Sequence, residues 1–247
     1  MSKRIFDLKE FAIKDLKVNL DNNILHPSKT LIEHAYSMMR SDIVNGELHA
    51  NEKLRVAHLQ KKYCVSASTL REAISRLVSE FLVSAEGQKG YYVTPMTLDD
   101  LIDLTQLRIH IEINALRQSI RNASPDWRNK LTIVFKQLSK FEQPINGNKP
   151  HDWDLLNAQF HQTLCDGEKS IWTRRMLRLL SQHGERYRHF TIKLPNNDRD
   201  IHSEHDEIFM NAINGNEVRA ALALEAHIRS TEKQIILEAQ KGNICFS

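Results

Sequence analysis

The sequence predicts a mainly α protein in two parts: a small helical unit closed by a β-hairpin, then an all-α antiparallel helical bundle. Three observations carry this. Apolar residues recur at helical spacing through the first part of 29–95. Two short β-like runs, Leu82–Ala85 and Tyr91–Thr94, then flank a polar loop bounded by Gly87 and Gly90. After Pro95 every segment reads as amphipathic helix.

The elements follow in order. Residues 1–28 are polar with scattered apolar positions and form an N-terminal arm. Ser28 precedes a helix over Lys29–Asn45, with Leu31, Ile32, Ala35, Met38, Met39 and Ile43 at helical spacing, stopped by Asn45-Gly46. A short helix is expected at Val56–Cys64, a turn at Val65-Ser66, and a helix from Ala67 to about Phe81. Its Leu70, Ile74, Leu77 and Phe81 share one face, and Ser66 can cap it. The hairpin follows, and Pro95 closes the first domain, 29–95. The second domain, 96–247, is expected to hold helices at Thr97–Asn122, Pro125–Glu142, Asp152–Asp166, Ser170–Leu194, Arg199–Asn214 and Glu217–Gln240. Its breaks are marked by Ser124-Pro125, a cap with proline at the first helical position, by the loop Pro144 to Pro150, and by Asn214-Gly215-Asn216.

Bulk properties narrow the class. The chain has 247 residues, 41% hydrophobic and 26% charged, as in ordinary globular proteins. No apolar run is long enough for a membrane helix, and the charged N-terminus lacks the apolar region of a secretory signal. Cys64, Cys165 and Cys245 stand far apart, as expected of reduced thiols in a cytoplasm. The net charge of +3 decides little, but its placement is informative. Between Lys53 and Ser79, Lys53, Arg55, Lys61, Lys62, Arg71 and Arg76 face only Glu72. Such a patch suits phosphate contact, and charge alone leaves a solvated face equally open.

Helix, turn, helix and hairpin in this order make a winged helix-turn-helix. The second helix of such a unit can lie in the major groove of double-stranded DNA and offer its N-terminal side chains to base edges. Here these are Ser66, Ser68, Thr69 and Arg71. Arg55 and Arg76 extend the basic patch, and Gln88 and Lys89 at the hairpin tip can reach the neighbouring backbone or minor groove. The run from Ser41 to Pro95 resembles the DNA-binding domain of the GntR superfamily of transcription regulators. The resemblance lies in the Asn-Gly turn, Leu54, Leu59, Val65-Ser66, Leu70-Arg71-Glu72-Ala73, Leu77, Leu82-Val83, and Gly90 before Val93. It departs at Ala57 and Ala67, where many relatives carry arginine, so the resemblance does not transfer an operator sequence.

Eight of the twelve histidines lie in the second part. Asn157 and His161 are four residues apart, on one helix face. His205 shares a face with Ile208, Phe209 and Ala212, and His227 with Leu224 and Ile228. Periodicity alone leaves two readings: packed core histidines, or ligands converging on a metal. Residues 97–240 resemble the all-helical FCD domain of the FadR branch of that superfamily. The matching pieces are LTQLRIHIE, NAQFHQTL, EHDEIFMNAINGN and AALALEAHIRST. The resemblance implies a divalent metal, zinc, nickel or manganese, on Asn157, His161, His205 and His227. It departs at Asn157, where aspartate is common, and an amide is the weaker ligand. Asp154 lies one turn earlier, and His151 and His202 are nearby decoys.

The resemblance also implies a small organic acid as effector. Arg108 is the candidate to grip a carboxylate in a bidentate pair, and Arg188 is a second. An ion pair of Arg108 with Glu112, one turn away, is the competing role. The expected function is a metabolite-responsive, DNA-binding transcription regulator, a repressor in the first instance. It is expected to act as a cytoplasmic homodimer on a two-fold operator, without enzyme activity. The rival is a metal-dependent hydrolase domain fused to a DNA-binding module. No His-Glu-x-x-His run supplies the general base that hydrolysis needs.

Overall fold

The structure is a computed structural model and describes residues 30–142, 151–192 and 199–246. The expected arm at 1–28, Ser28 as a cap and the loop 144–150 lie outside the described residues.

The first helix, α1 (Leu31–Val44), is capped by Thr30, whose hydroxyl accepts from the Glu33 amide at 3.2 Å. The described helix therefore starts two residues later than expected, because Thr30 with Glu33 three residues on is a better cap signal than Ser28. Helix α2 (Val56–Tyr63) ends on Cys64 in the left-handed conformation, φ 55°. Ser66 then caps α3 (Ala67–Ser79), accepting from the Thr69 amide at 3.2 Å. Ala35, Met39, Leu59, Leu70, Ile74 and Leu77 close the core between these helices. Each fully buried leucine there contributes about 2 kcal/mol.

Phe81 departs from expectation. It is 63% exposed and not on the inner face of α3. The helix stops at Ser79, Phe81 turns the chain at φ 59°, and Leu82 takes the fully buried place instead. The Leu82 amide donates to the Leu77 carbonyl at 3.0 Å and fixes that turn. The hairpin is β2 (Val83–Glu86) and β3 (Gly90–Val93), joined by a 3₁₀ turn over Gly87–Lys89. A strand the pattern does not announce, β1 (Lys53–Leu54), pairs antiparallel with β3, giving the order β1-β3-β2. Two residues are too few to show an alternation.

The second domain is α4 (Leu98–Arg121), α5 (Pro125–Glu142), α6 (His151–Leu164), α7 (Ile171–Ile192), α8 (Ile201–Ile213) and α9 (Glu217–Gln240). The expected Ser124 cap holds, accepting from the Trp127 amide at 3.1 Å. Asn216 stands at the N-cap of α9 but makes no side-chain cap hydrogen bond. Asp200, which the pattern does not single out, caps α8 by accepting from the Ser203 amide at 3.0 Å. Gly215, at φ 77°, makes the turn between α8 and α9. Leu116, Leu131, Leu138, Phe160, Ile208 and Leu224 form the core, with Phe135 stacked on Phe209 at 4.1 Å. No described helix is long and apolar enough to cross a membrane.

A third, smaller cluster joins the two domains. Met96, Leu101, Tyr187, Ile235 and Ile244 are buried together, with Ala50 and Phe246 against them. Helix α7 provides the polar part of the junction. Arg186 donates to the Thr94 carbonyl at 2.8 Å. His183 Nε2 lies 2.9 Å from the Glu80 carbonyl, and the Tyr187 hydroxyl contacts both backbone groups of Thr97.

Candidate functional site

The N-terminus of α3 carries a cluster of hydroxyls. Ser66 Oγ lies 2.9 Å from both Ser68 Oγ and Thr69 Oγ1. Ser66, Ser68 and Arg71 are exposed, as are Arg55, Gln88 and Lys89, with Lys89 77% exposed at the hairpin tip. Arg55, Lys61 and Arg71 make no ion pair among the described residues. Part of the basic patch is turned to internal use. Lys62 pairs with Asp42 at 2.6 Å, and Lys53 stands over the Tyr92 ring. Arg76, expected with the DNA contacts, lies in the last turn of α3 and pairs with Glu33 at 3.1 Å and Glu72 at 3.9 Å.

Inside the helical domain, His161 on α6, His205 on α8 and His227 on α9 converge. Each offers one ring nitrogen within 4.8 Å of the other two. Two of the three rings are held by acids through Nδ1. His205 Nδ1 donates to Glu142 Oε1 at 2.8 Å, and His227 Nδ1 donates to Glu204 Oε2 at 2.7 Å. Fixing Nδ1–H in this way leaves the Nε2 lone pair of each ring turned inward. His205 Nε2 and His161 Nδ1 are buried and have no hydrogen-bond partner among the described residues.

Burial, then the neighbouring imidazoles and the guanidiniums of Arg108 and Arg188, push His161 and His227 well below the usual histidine range. Both rings are therefore neutral and keep a free lone pair at neutral pH. Orphaned nitrogens, neutral imidazoles and carboxylates behind them are the donor chemistry a divalent cation takes. Asn157 is buried one turn before His161 on the same helix. Asp154 turns instead to Arg188, at 3.6 Å. His202 lies 3.2 Å from Glu142 and stacks on Phe135, outside the three-histidine group. The side chain of His151 lies outside the described residues.

A cavity of about 540 Å³ opens beside the histidines, with His161, Arg108 and Arg188 in its wall. The ion pair considered for Arg108 is present, its Nε donating to Glu112 Oε1 at 2.8 Å, and the side chain also lines the cavity. Gly184 of α7 passes so close that a Cβ there would stand 2.9 Å from Arg108 Nη1.

Residues 31–93 match the family model for bacterial regulatory proteins of the gntR family, and residues 103–230 match the FCD domain. The chain is 36% identical over 206 residues to the HTH-type transcriptional regulator BphR of Paraburkholderia xenovorans, covering 82% of this chain and 84% of the relative. This chain is a GntR-family transcription regulator with an FCD domain. It is also 30% identical to the HTH-type transcriptional repressor GlaR of Escherichia coli, over 84% of this chain and 96% of that one. The solved structure of E. coli McbR/YncC shares the fold, with a TM-score of 0.71 at 14% identity over 86% of this chain and all of that one.

In this GntR-family regulator the sequence reading missed the acids behind the histidines. Glu142 ends α5 and Glu204 precedes His205. Neither carries a spacing signal, because each reaches its histidine only through helix packing. It also missed Arg40. That residue belongs to α1 of the DNA-binding domain, yet it lines the cavity and pairs with Glu185 of α7 at 3.5 Å.

Proposed function

We propose that this regulator is a cytoplasmic, homodimeric repressor whose helical domain holds one divalent metal and answers to a small organic acid. The observation that carries the reading is the histidine group: three inward ring nitrogens within 4.8 Å, two of the rings braced by Glu142 and Glu204. His161, His205 and His227, with Asn157, would hold the ion. Imidazoles favour zinc or nickel, and manganese is tolerable. Three imidazoles leave coordination positions open, which an acid's carboxylate can occupy. Arg108 would grip the same acid from the cavity wall, and Arg188 stands as its neighbour.

The exposed Ser66, Ser68, Arg71, Arg55, Gln88 and Lys89, with the half-buried Thr69, would meet operator DNA, paired as two copies on a two-fold site. An acid alters operator affinity only by binding the DNA-competent and incompetent arrangements differently. The test is elemental analysis of the purified protein, followed by zinc, nickel and manganese titration of the stripped protein and of its His205→Ala variant. One ion per chain, lost with His205, is expected. A stripped protein that no ion stabilises sinks the metal. Operator fragments selected from random DNA then report release by added acids, and an operator affinity that no acid moves sinks the sensor.

A further inference from the structure

The cavity beside the histidines is far more basic than one carboxylate requires. Arg40, Arg108, Arg174, Arg175, Arg178 and Arg188 line it, against Glu112, Asp166 and Glu185. The three acids are already engaged: Glu112 with Arg108, Glu185 with Arg40, and Asp166 with Lys130. Arg174 and Arg178 make no ion pair among the described residues, and Arg175 lies over the Trp172 ring. The charge is also graded in depth. Arg108 and Arg188 sit part-buried near His161, while Arg174, Arg175 and Arg178 are exposed at the mouth. Within the wall, Gln182 is buried and its Oε1 has no hydrogen-bond partner among the described residues. A volume of about 540 Å³ is in the range of sites for molecules larger than the smallest acids.

We infer that the effector is a hydroxylated acid with at least two separated anionic groups, the second of which is taken by Arg40 of the DNA-binding domain. The inference rests on reading the histidine end as the seat of the first acid group. Gln182 Oε1 accepts from a ligand hydroxyl. The second anionic group competes with Glu185 for Arg40, whose Nη2 stands only 3.5 Å from that carboxylate across the domain junction. The ligand thereby touches both domains at once. It exchanges a protein–protein ion pair between α1 and α7 for a ligand contact, so occupancy is felt directly at the first helix of the reading head.

Calorimetric titration of the full-length, metal-loaded protein tests this with lactate, citrate and 6-phosphogluconate as probes. Citrate or 6-phosphogluconate should bind at least about tenfold more tightly than lactate, the order of one charge-assisted hydrogen bond. Arg40→Gln should erase that advantage and leave lactate within about twofold of wild type, as a single lost contact predicts. Glu185→Gln, which releases Arg40, should enlarge the advantage, and it decides the matter if Arg40→Gln does not fold. Equal binding of all three acids to wild type, or an advantage that neither variant changes, overturns the inference while leaving the acid-binding site intact. Binding of none of them overturns both.

Discussion

Nδ1 of His205, on α8, lies 2.8 Å from Oε1 of Glu142, the last residue of α5. The same carboxylate accepts from Trp153 Nε1 at 3.0 Å, and His202 stands at 3.2 Å. Burial would push the Glu142 carboxyl up, but the hydrogen bonds it accepts from His205, Trp153 and His202 hold it below the usual carboxylate range. It is an ionised anchor that orients His205. Glu142→Gln keeps the shape and removes the charge. Metal affinity, measured by chelator competition, should fall about 10–100-fold. Unchanged affinity would show that the carboxylate does not support the ligand.

Arg71 and Arg76 lie five residues apart on α3 and should behave differently. Arg71 is exposed without an ion pair among the described residues, whereas Arg76 is paired with Glu33 and Glu72. Arg71→Ala should weaken operator binding by about 1–3 kcal/mol if it reads a base. Arg76→Ala should cost clearly less. Lys89→Ala should weaken all sequences alike and flatten the salt dependence by about one unit of slope. Anisotropy titrations over a range of salt separate the three, and an Arg76 effect larger than that of Arg71 would misplace the reading surface.

Two glycines in the helical domain separate function from stability. A Cβ at Gly184 meets only the tip of Arg108, which can swing away. Gly184→Ala should move the melting temperature little, since alanine favours the helix by about 1 kcal/mol while the displaced Arg108 gives up its pair with Glu112. Acid affinity should fall, because Arg108 leaves its place. At Gly167 a Cβ would stand 2.6 Å from the Ser119 Cα, a backbone atom that cannot yield. Gly167→Ala should destabilise by about 1–3 kcal/mol in denaturant unfolding. Reversed outcomes would contradict this packing.

Alkali should loosen the DNA-binding domain. Tyr36 is pushed up to about 12 by burial, then by its hydrogen bond to Glu80 and the charge of that carboxylate. Tyr63 is also raised, by burial and then Asp42. A group raised in the folded state contributes stability that is complete below its unfolded value, about 10 for tyrosine, and is lost above it. Stability should therefore decline from about pH 10 towards pH 12. Tyr36→Phe should make that decline shallower. Unfolding curves with ultraviolet titration of the phenols measure both, and a slope identical in the variant would remove Tyr36 as a cause.

The sequence by itself determined the elements and the chemistry within each. Ser124-Pro125 starts α5, Ser66 caps α3, and the hairpin glycines bound the wing, because capping and turn formation are settled within a few residues of chain. Periodicity put the histidines on inward helix faces beside residues such as Ile208 and Leu224, and the resemblance to the FCD domain marked them as a set. Tertiary structure alone decided what stands behind and beside them. Glu142 meets His205 across 63 residues and Arg40 meets Glu185 across the domain junction, and no local period encodes such contacts. Arg76 turned from a DNA candidate to a partner of Glu33 for the same reason, as α1 lies against α3. Local hydrogen bonds choose the helices. Where their charged side chains end is set by how the helices pack.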